Sequence, residues 1–219
     1  SFESTIHLID AWLEAEQSYK QLPGLSVGLV LDQELIWSGG YGYANPEKQV
    51  PATANTLYSI CSISKIFTSI AIMQLRDSGS LRLTDPVKAY LPWFQIEERD
   101  KKNGPITVQS LLTHSSGLPR ESDFPYWSPP HYHFPDTHEV KERLDDQSVL
   151  YPPETYWQYS NLGFTLAGEI VAVASGMPYA DYVGRHILDP LDLHDTRPYM
   201  PQEMHGNALA VGHTARKRN

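Results

Sequence analysis

Ser62 and Lys65 stand three residues apart in the stretch Tyr58-Ser59-Ile60-Cys61-Ser62-Ile63-Ser64-Lys65-Ile66-Phe67-Thr68, at the mouth of an apolar helix. Side chains three apart share a helix face, which puts the Lys65 amine beside the Ser62 hydroxyl, about one turn deeper. A serine hydroxyl is a poor nucleophile at neutral pH and needs a neighbouring base. A lysine held in a partly desolvated pocket can lose its proton and serve as that base, or steady the deprotonated oxygen. Backbone N–H groups of the helix start point at the same place. By itself the pattern is weak, because a serine ahead of a helix is ordinarily only an N-cap. A second group adds weight: Tyr159-Ser160-Asn161 opens another strongly apolar helix. A phenol near a lysine ammonium has a lowered pKa and can act as a base. The bland alternative there is a helix-start tyrosine with an N-cap-type asparagine.

Other side chains of chemical interest are less persuasive. His131, His133 and His138 form a loose cluster near Asp136 and Glu139, but the spacing matches no metal-ligand pattern, and solvated loop histidines are favoured. Cys61 abuts Ser62 and reads as a small buried thiol rather than a nucleophile. Tyr126, Trp127, Tyr132 and Phe134 could wall a pocket; ordinary aromatic packing is about as good a reading. No metal and no cofactor is expected.

Around these groups the chain reads as a helix, a hairpin and then a mostly helical region. Phe2, Ile6, Ile9 and Leu13 fall on one face of a helix that Pro23-Gly24 breaks. Leu25–Leu31 and Glu34–Tyr43 read as two strands joined at Asp32-Gln33, a turn without the glycine of a strong hairpin. Two strands alone make a marginal sheet, so something should complete it. Ile66, Phe67, Ile70, Met73 and Leu75 carry a helical period that Gly79 stops. Thr84-Asp85-Pro86 starts a helix, and Thr107 caps a short one over Val108–Thr113. Residues 119–136, with five prolines, form a long loop of the kind that tends to be functional or mobile. Helices follow over His138–Gln147, Leu162–Ala174 (closed by Gly176) and Tyr179–Leu188.

The chain has 219 residues with 41% hydrophobic and 20% charged side chains, so a globular core is expected. A net charge of −9 disfavours nucleic acid and anionic membrane as partners. No apolar run is long enough to span a bilayer, and no basic-then-apolar leader is present. The single cysteine excludes an internal disulfide and leaves the compartment open between periplasmic or secreted and cytoplasmic.

Ser62-x-x-Lys65 together with Tyr159-x-Asn161 resembles the serine β-lactamase and penicillin-binding protein superfamily. The tyrosine in the second motif points to its class C branch: class C β-lactamases, DD-peptidases and family VIII carboxylesterases. The likeness extends to Leu25-Ser26-Val27, Gly40–Asn45, Gly79–Val87, Ile106–Leu118 and Asn161–Gly168. It implies an α/β, β-lactamase-like fold: an antiparallel sheet flanked by helices, plus an all-helical region, with the active site at their junction. It also implies roles. Ser62 would be the acylated nucleophile, its backbone N–H half of an oxyanion hole. Lys65 would activate Ser62 or tune its pKa. Tyr159 would relay a proton to the leaving group and activate the deacylating water. Asn161 would bind the substrate and Lys65. His114 resembles a position read as structural.

The resemblance has one departure. The family's third motif, Lys-x-Gly or His-x-Gly on a late strand, is missing; His213-Thr214-Ala215 lacks the glycine and follows Tyr159 too soon. The 219 residues are therefore expected to stop before the last sheet strands. Residues 1–61 would hold the N-terminal helix and hairpin of the α/β region. Residues 62–194 would form the mostly helical region with the catalytic motifs. Residues 195–219 would be an irregular tail leading toward a missing C-terminal segment. The expected function is serine hydrolysis through an acyl-enzyme on an ester, amide or β-lactam, with a small-molecule or short-peptide substrate. A further segment or second chain is expected to complete the sheet. The rival reading is a non-catalytic penicillin-binding-like sensor that retains the fold.

Overall fold

The computed structural model describes residues 2–97, 104–123, 135–144 and 146–213. The chain divides into two compact units, Ser1–Cys61 with Tyr199–Asn219, and Ser62–Pro198.

The first unit holds α1 (Phe2–Tyr19), β1 (Gly24–Leu31), β2 (Glu34–Asn45) and β3 (Val50–Pro51). The strands form one antiparallel sheet in the order β1-β2-β3. The Asp32-Gln33 turn closes without glycine because both residues take positive φ, 50° and 69°. That is the left-handed pair a two-residue hairpin needs to match strand twist. The third strand was not expected, since Pro51 argues against a strand; at a sheet edge its missing N–H costs nothing. On α1, Leu13 is buried and Ile6 and Ile9 are half-buried, as the pattern predicts, whereas Phe2 is exposed. The late residues return to this unit. Ala210 N–H donates to the Leu57 carbonyl at 2.9 Å and Val211 N–H to that of Ala44 at 2.8 Å.

The second unit is helical: α2 (Ser64–Asp77), α3 (Val87–Tyr90), α4 (Val108–Leu112), α5 (Thr137–Leu144), α6 (Asn161–Ser175) and α7 (Tyr179–Val183). Its core joins Ile72 and Leu75 of α2 to Leu91, Phe94, Leu111 and Leu118, and to Leu162, Leu166 and Ile170 of α6. Burying each such side chain contributes about 1.5–3 kcal/mol before chain entropy is charged against it. Stop signals act as the sequence implies: Gly79 and Gly176, at φ 76° and 68°, end α2 and α6. Thr107 and Ser110 form a reciprocal capping box on α4. The expected helix over 179–188 is α-helical only to Val183 and widens into a π-turn over Gly184–Leu188.

Helix α2 departs from expectation in which face it buries. Thr68, Ala71, Ile72 and Leu75 face the core, while Ile66 and Ile70 are exposed. The helix carries two apolar stripes, and the periodicity drew residues from both. The second stripe, Ile66, Ile70 and Met73, lines an open groove of about 400 Å³ that begins at Lys65.

Gly117 holds the segment leading to the site. Its φ is 74°, and a Cβ there would lie 1.9 Å from the Tyr151 carbonyl oxygen. Any side chain would push Tyr151 away and lose the 2.8 Å bond from Leu150 N–H to the Gly117 carbonyl.

Candidate active site

Ser62 lies in a single 3₁₀ turn, Cys61–Ile63, that leads into α2. The N-cap position of α2 is Ile63, and no side chain caps it. The Ser62 hydroxyl is therefore not spent on capping. Its Oγ lies 2.7 Å from Tyr159 Oη and accepts from Lys65 Nζ at 3.3 Å. Lys65 is one turn on and half-buried, while Ser62 is exposed. The spacing places the lysine as the helical geometry predicts.

The N-terminus of α6 supplies the other half of the cluster, and here too capping is separated from chemistry. The cap is Ser160, whose Oγ accepts from Gly163 N–H at 2.9 Å and donates to the Pro119 carbonyl at 2.6 Å. Asn161 is thus the first helical residue and not the cap, so its amide is available. Its Oδ1 accepts from Lys65 Nζ at 2.7 Å and its Nδ2 donates to Glu121 Oε1 at 2.6 Å. All four residues singled out in the sequence converge within one hydrogen-bonded network.

Electrostatics favour a reactive phenol. Burial pushes the Tyr159 pKa up, but hydrogen bonds with Lys65 and Ser62 and the charges of Lys65 and Arg120 outweigh it, leaving the phenol below its ordinary value. The Lys65 ammonium and the Arg120 guanidinium each lie 4.9 Å from the centre of the Tyr159 ring. At a given pH more of such a phenol is ionised than of an isolated tyrosine, so more of it is in the form that can accept a proton from serine.

His114, read from the sequence as structural, touches the cluster. Its ring tilts against Tyr159 with centroids 4.5 Å apart, and its Nδ1 accepts from Ser160 N–H at 3.1 Å. Trp157 meets His114 edge-on at 5.9 Å and Phe164 flanks it at 5.1 Å. Accepting at Nδ1 requires a neutral ring. Desolvation and then the Lys65 charge hold its pKa below the ordinary 6.5. Between the folded value and 6.5 the unfolded chain binds a proton that the native one lacks. The stability contributed by His114 is therefore fully present above the ordinary imidazole value and lost as pH falls through the folded one. Urea unfolding across that range should show the loss in the wild type and a shallower one in His114→Gln; equal acid-side slopes would contradict it.

Arg120, Glu121, His114 and Trp157 were not legible as site residues. They are brought in by loops, and nothing in their spacing announces them. Cys61 corrects an expectation: it is exposed, at φ 48°, not buried. A thiol in a strained turn at the chain surface has no core to enter. His138 sits on the surface of α5, 3.7 Å from Glu142. Among the described residues no three His, Cys, Asp or Glu side chains converge on a metal position. His131, His133, Tyr126, Trp127, Tyr132, Phe134, Thr214 and Ala215 lie outside the described residues. No helix among the described residues is long and apolar enough to cross a membrane.

A helical unit with a serine, lysine, tyrosine and asparagine at facing helix starts defines the architecture of a β-lactamase-like protein. Residues 9–217 match the Beta-lactamase family, and the chain belongs to it. Beta-lactamase-like protein 2 of Dictyostelium discoideum is 34% identical over 174 residues, covering 78% of this chain and 32% of that protein. The octameric penicillin-binding protein homologue from Pyrococcus abyssi superposes with TM-score 0.77 at 30% identity, covering 97% of this chain and 48% of that one. The beta-lactamase/D-alanine carboxypeptidase from Yersinia pestis, complexed with citrate, gives TM-score 0.72 at 28% identity, covering 86% and 52%. The chain thus spans about half the length of these solved chains and about a third of its curated relatives.

Proposed function

We propose that this protein is a serine hydrolase that works through an acyl-enzyme on Ser62. The observation that carries the reading is the 2.7 Å contact between Ser62 Oγ and Tyr159 Oη, with Lys65 Nζ 3.3 Å from the same oxygen. In the forward step Ser62 Oγ attacks a substrate carbonyl carbon while its proton passes to the Tyr159 phenolate. Lys65 Nζ, bonded to the same oxygen, stabilises the developing negative charge. The tetrahedral intermediate collapses, the carbonyl-to-leaving-group bond breaks, and Tyr159 returns the proton to the leaving group. Water then gives a proton to Tyr159 and attacks the acyl carbon. Ser62 departs from carbon and recovers the proton. Asn161 holds Lys65 in place and offers its remaining N–H to the acyl chain.

The substrate is an ester, amide or β-lactam. Support comes from similar solved structures named as a penicillin-binding protein homologue and a beta-lactamase/D-alanine carboxypeptidase. We also propose that polypeptide outside the 219 residues, a further segment or a second chain, completes the sheet and brings a Lys/His-x-Gly strand. The exposed Ile66 and Ile70 stripe on α2 and the exposed Val30, Leu31 and Leu35 of the hairpin support this.

The test pairs turnover of a p-nitrophenyl ester and a penicillin with the mass of the quenched protein. A hydrolase releases product catalytically and carries a transient acyl adduct. An adduct that persists without turnover would make the protein a sensor, and neither adduct nor turnover in the full-length form would overturn the proposal. Residues 1–219 alone, lacking half of the oxyanion hole, should be slower than the full-length form by about a hundredfold or more.

A further inference from the structure

The amide of Asn161 is held from both ends. On one side its Oδ1 accepts from the Lys65 ammonium at 2.7 Å, and on the other its Nδ2 donates to the Glu121 carboxylate at 2.6 Å. Both bonds are charge-assisted, the stronger kind. Turning the amide over would set its NH₂ against an ammonium and its oxygen against a carboxylate. Each contact would then be repulsive, so the two charges specify one orientation.

Glu121 is itself fixed. The preceding carbonyls dock onto the start of α6: Pro119 accepts from Ser160 Oγ at 2.6 Å, and Arg120 accepts from Asn161 N–H at 2.8 Å and Leu162 N–H at 3.2 Å. The two bonds to the Arg120 carbonyl satisfy N–H groups that a helix start leaves without an internal partner. The carboxylate they carry is half-buried and lies 3.6 Å from Arg120 Nε, whose guanidinium packs over the Tyr159 ring. A polarised amide is also a better acceptor, so the carboxylate strengthens the grip of Oδ1 on Lys65.

We propose that Glu121 is a positioning residue for the hydrolysis: it fixes the Asn161 amide so that Oδ1 anchors Lys65 beside Ser62 and one N–H remains for substrate. This rests on the reading of Ser62 and Lys65 as nucleophile and activating cation. Without Glu121 the amide is free to turn, and Lys65 loses its constant acceptor. Misplacement of an activating group by about 1 Å costs on the order of a hundredfold in rate.

The experiment compares Glu121→Ala with Glu121→Gln in the full-length protein. Glutamine still presents an oxygen to Asn161 Nδ2, so it should keep the orientation without the charge. Glu121→Ala should lower kcat/KM roughly 10- to 100-fold, with a fall in kcat as part of it, and Glu121→Gln should restore kcat/KM to within about threefold of wild type. The second readout needs no catalysis: the side-chain amide signal of Asn161 by ¹⁵N NMR, assigned by its loss in Asn161→Ala. Its two protons should be well separated and exchange slowly in wild type, Ser62→Ala and Glu121→Gln, and collapse toward the free-amide position in Glu121→Ala. An unchanged Asn161 signal in Glu121→Ala, or Glu121→Gln as impaired as Glu121→Ala, would overturn the proposal. An inactive wild type with the expected amide behaviour would remove the hydrolase reading and leave the orientation intact.

Discussion

Ser62→Ala should remove the proposed ester hydrolysis while leaving the fold and melting temperature within error of wild type. The hydroxyl is exposed and caps no helix, so alanine takes away neither a buried hydrogen bond nor an N-cap. What is lost is the atom proposed to form the acyl bond. Loss of a serine nucleophile costs on the order of 10⁶-fold in kcat, leaving only the contribution of binding and oxyanion donors. Initial rates with a p-nitrophenyl ester, alongside circular dichroism, check both halves of the statement. A variant with near-native turnover would remove Ser62 from the mechanism. A variant that unfolds would mean that the hydroxyl has a structural partner the geometry does not show.

Lys65 and Tyr159 should behave as one acid–base unit. Lys65 bonds both Ser62 and Asn161 and lies over the Tyr159 ring, and its charge helps keep the phenol acidic. Each removal therefore disables the other residue. Lys65→Ala leaves a phenol with a higher pKa and less phenolate to accept the serine proton. Tyr159→Phe leaves an ammonium with no base to assist. Each single variant should lose about 10²–10⁴-fold in kcat/KM, the usual range for general acid–base catalysis. The double variant should be little worse than the poorer single one, because both changes remove the same proton transfer. Additive activation free energies would show that the two act in separate steps.

The parts of this arrangement that were legible in the sequence are those set by local chemistry. Helices α2 and α6 announce themselves through apolar period and through glycines that can take positive φ at their ends. The Ser62–Lys65 pair follows from helix geometry alone. The hairpin was readable from its Val- and Leu-rich, weakly alternating first strand, although its turn closes with Asp32 and Gln33 instead of glycine. What escaped is what depends on distant contacts. Strand β3 is two residues long and contains Pro51, so no periodic signal survives in it. The buried face of α2 could not be chosen between two apolar stripes until α6 was packed against one of them. Glu121 and His114 reach the site because the 114–121 segment docks on the start of α6, a tertiary event without a local signature. Cys61 was misplaced because the preference of thiols for cores is a tendency of composition, and the strained turn beside Ser62 overrides it.

The central claim is that Ser62, and no other side chain, carries the acyl group. Fluorophosphonate labelling of the full-length protein, followed by digestion and fragment-ion sequencing, addresses it directly. The peptide spanning Tyr58–Thr68 is informative because it holds a competing nucleophile, the exposed Cys61 next to Ser62. The account predicts one adduct per chain, on Ser62, abolished in Ser62→Ala and retained in Cys61→Ala. An adduct on Cys61, on another serine, or on no residue at all would contradict it.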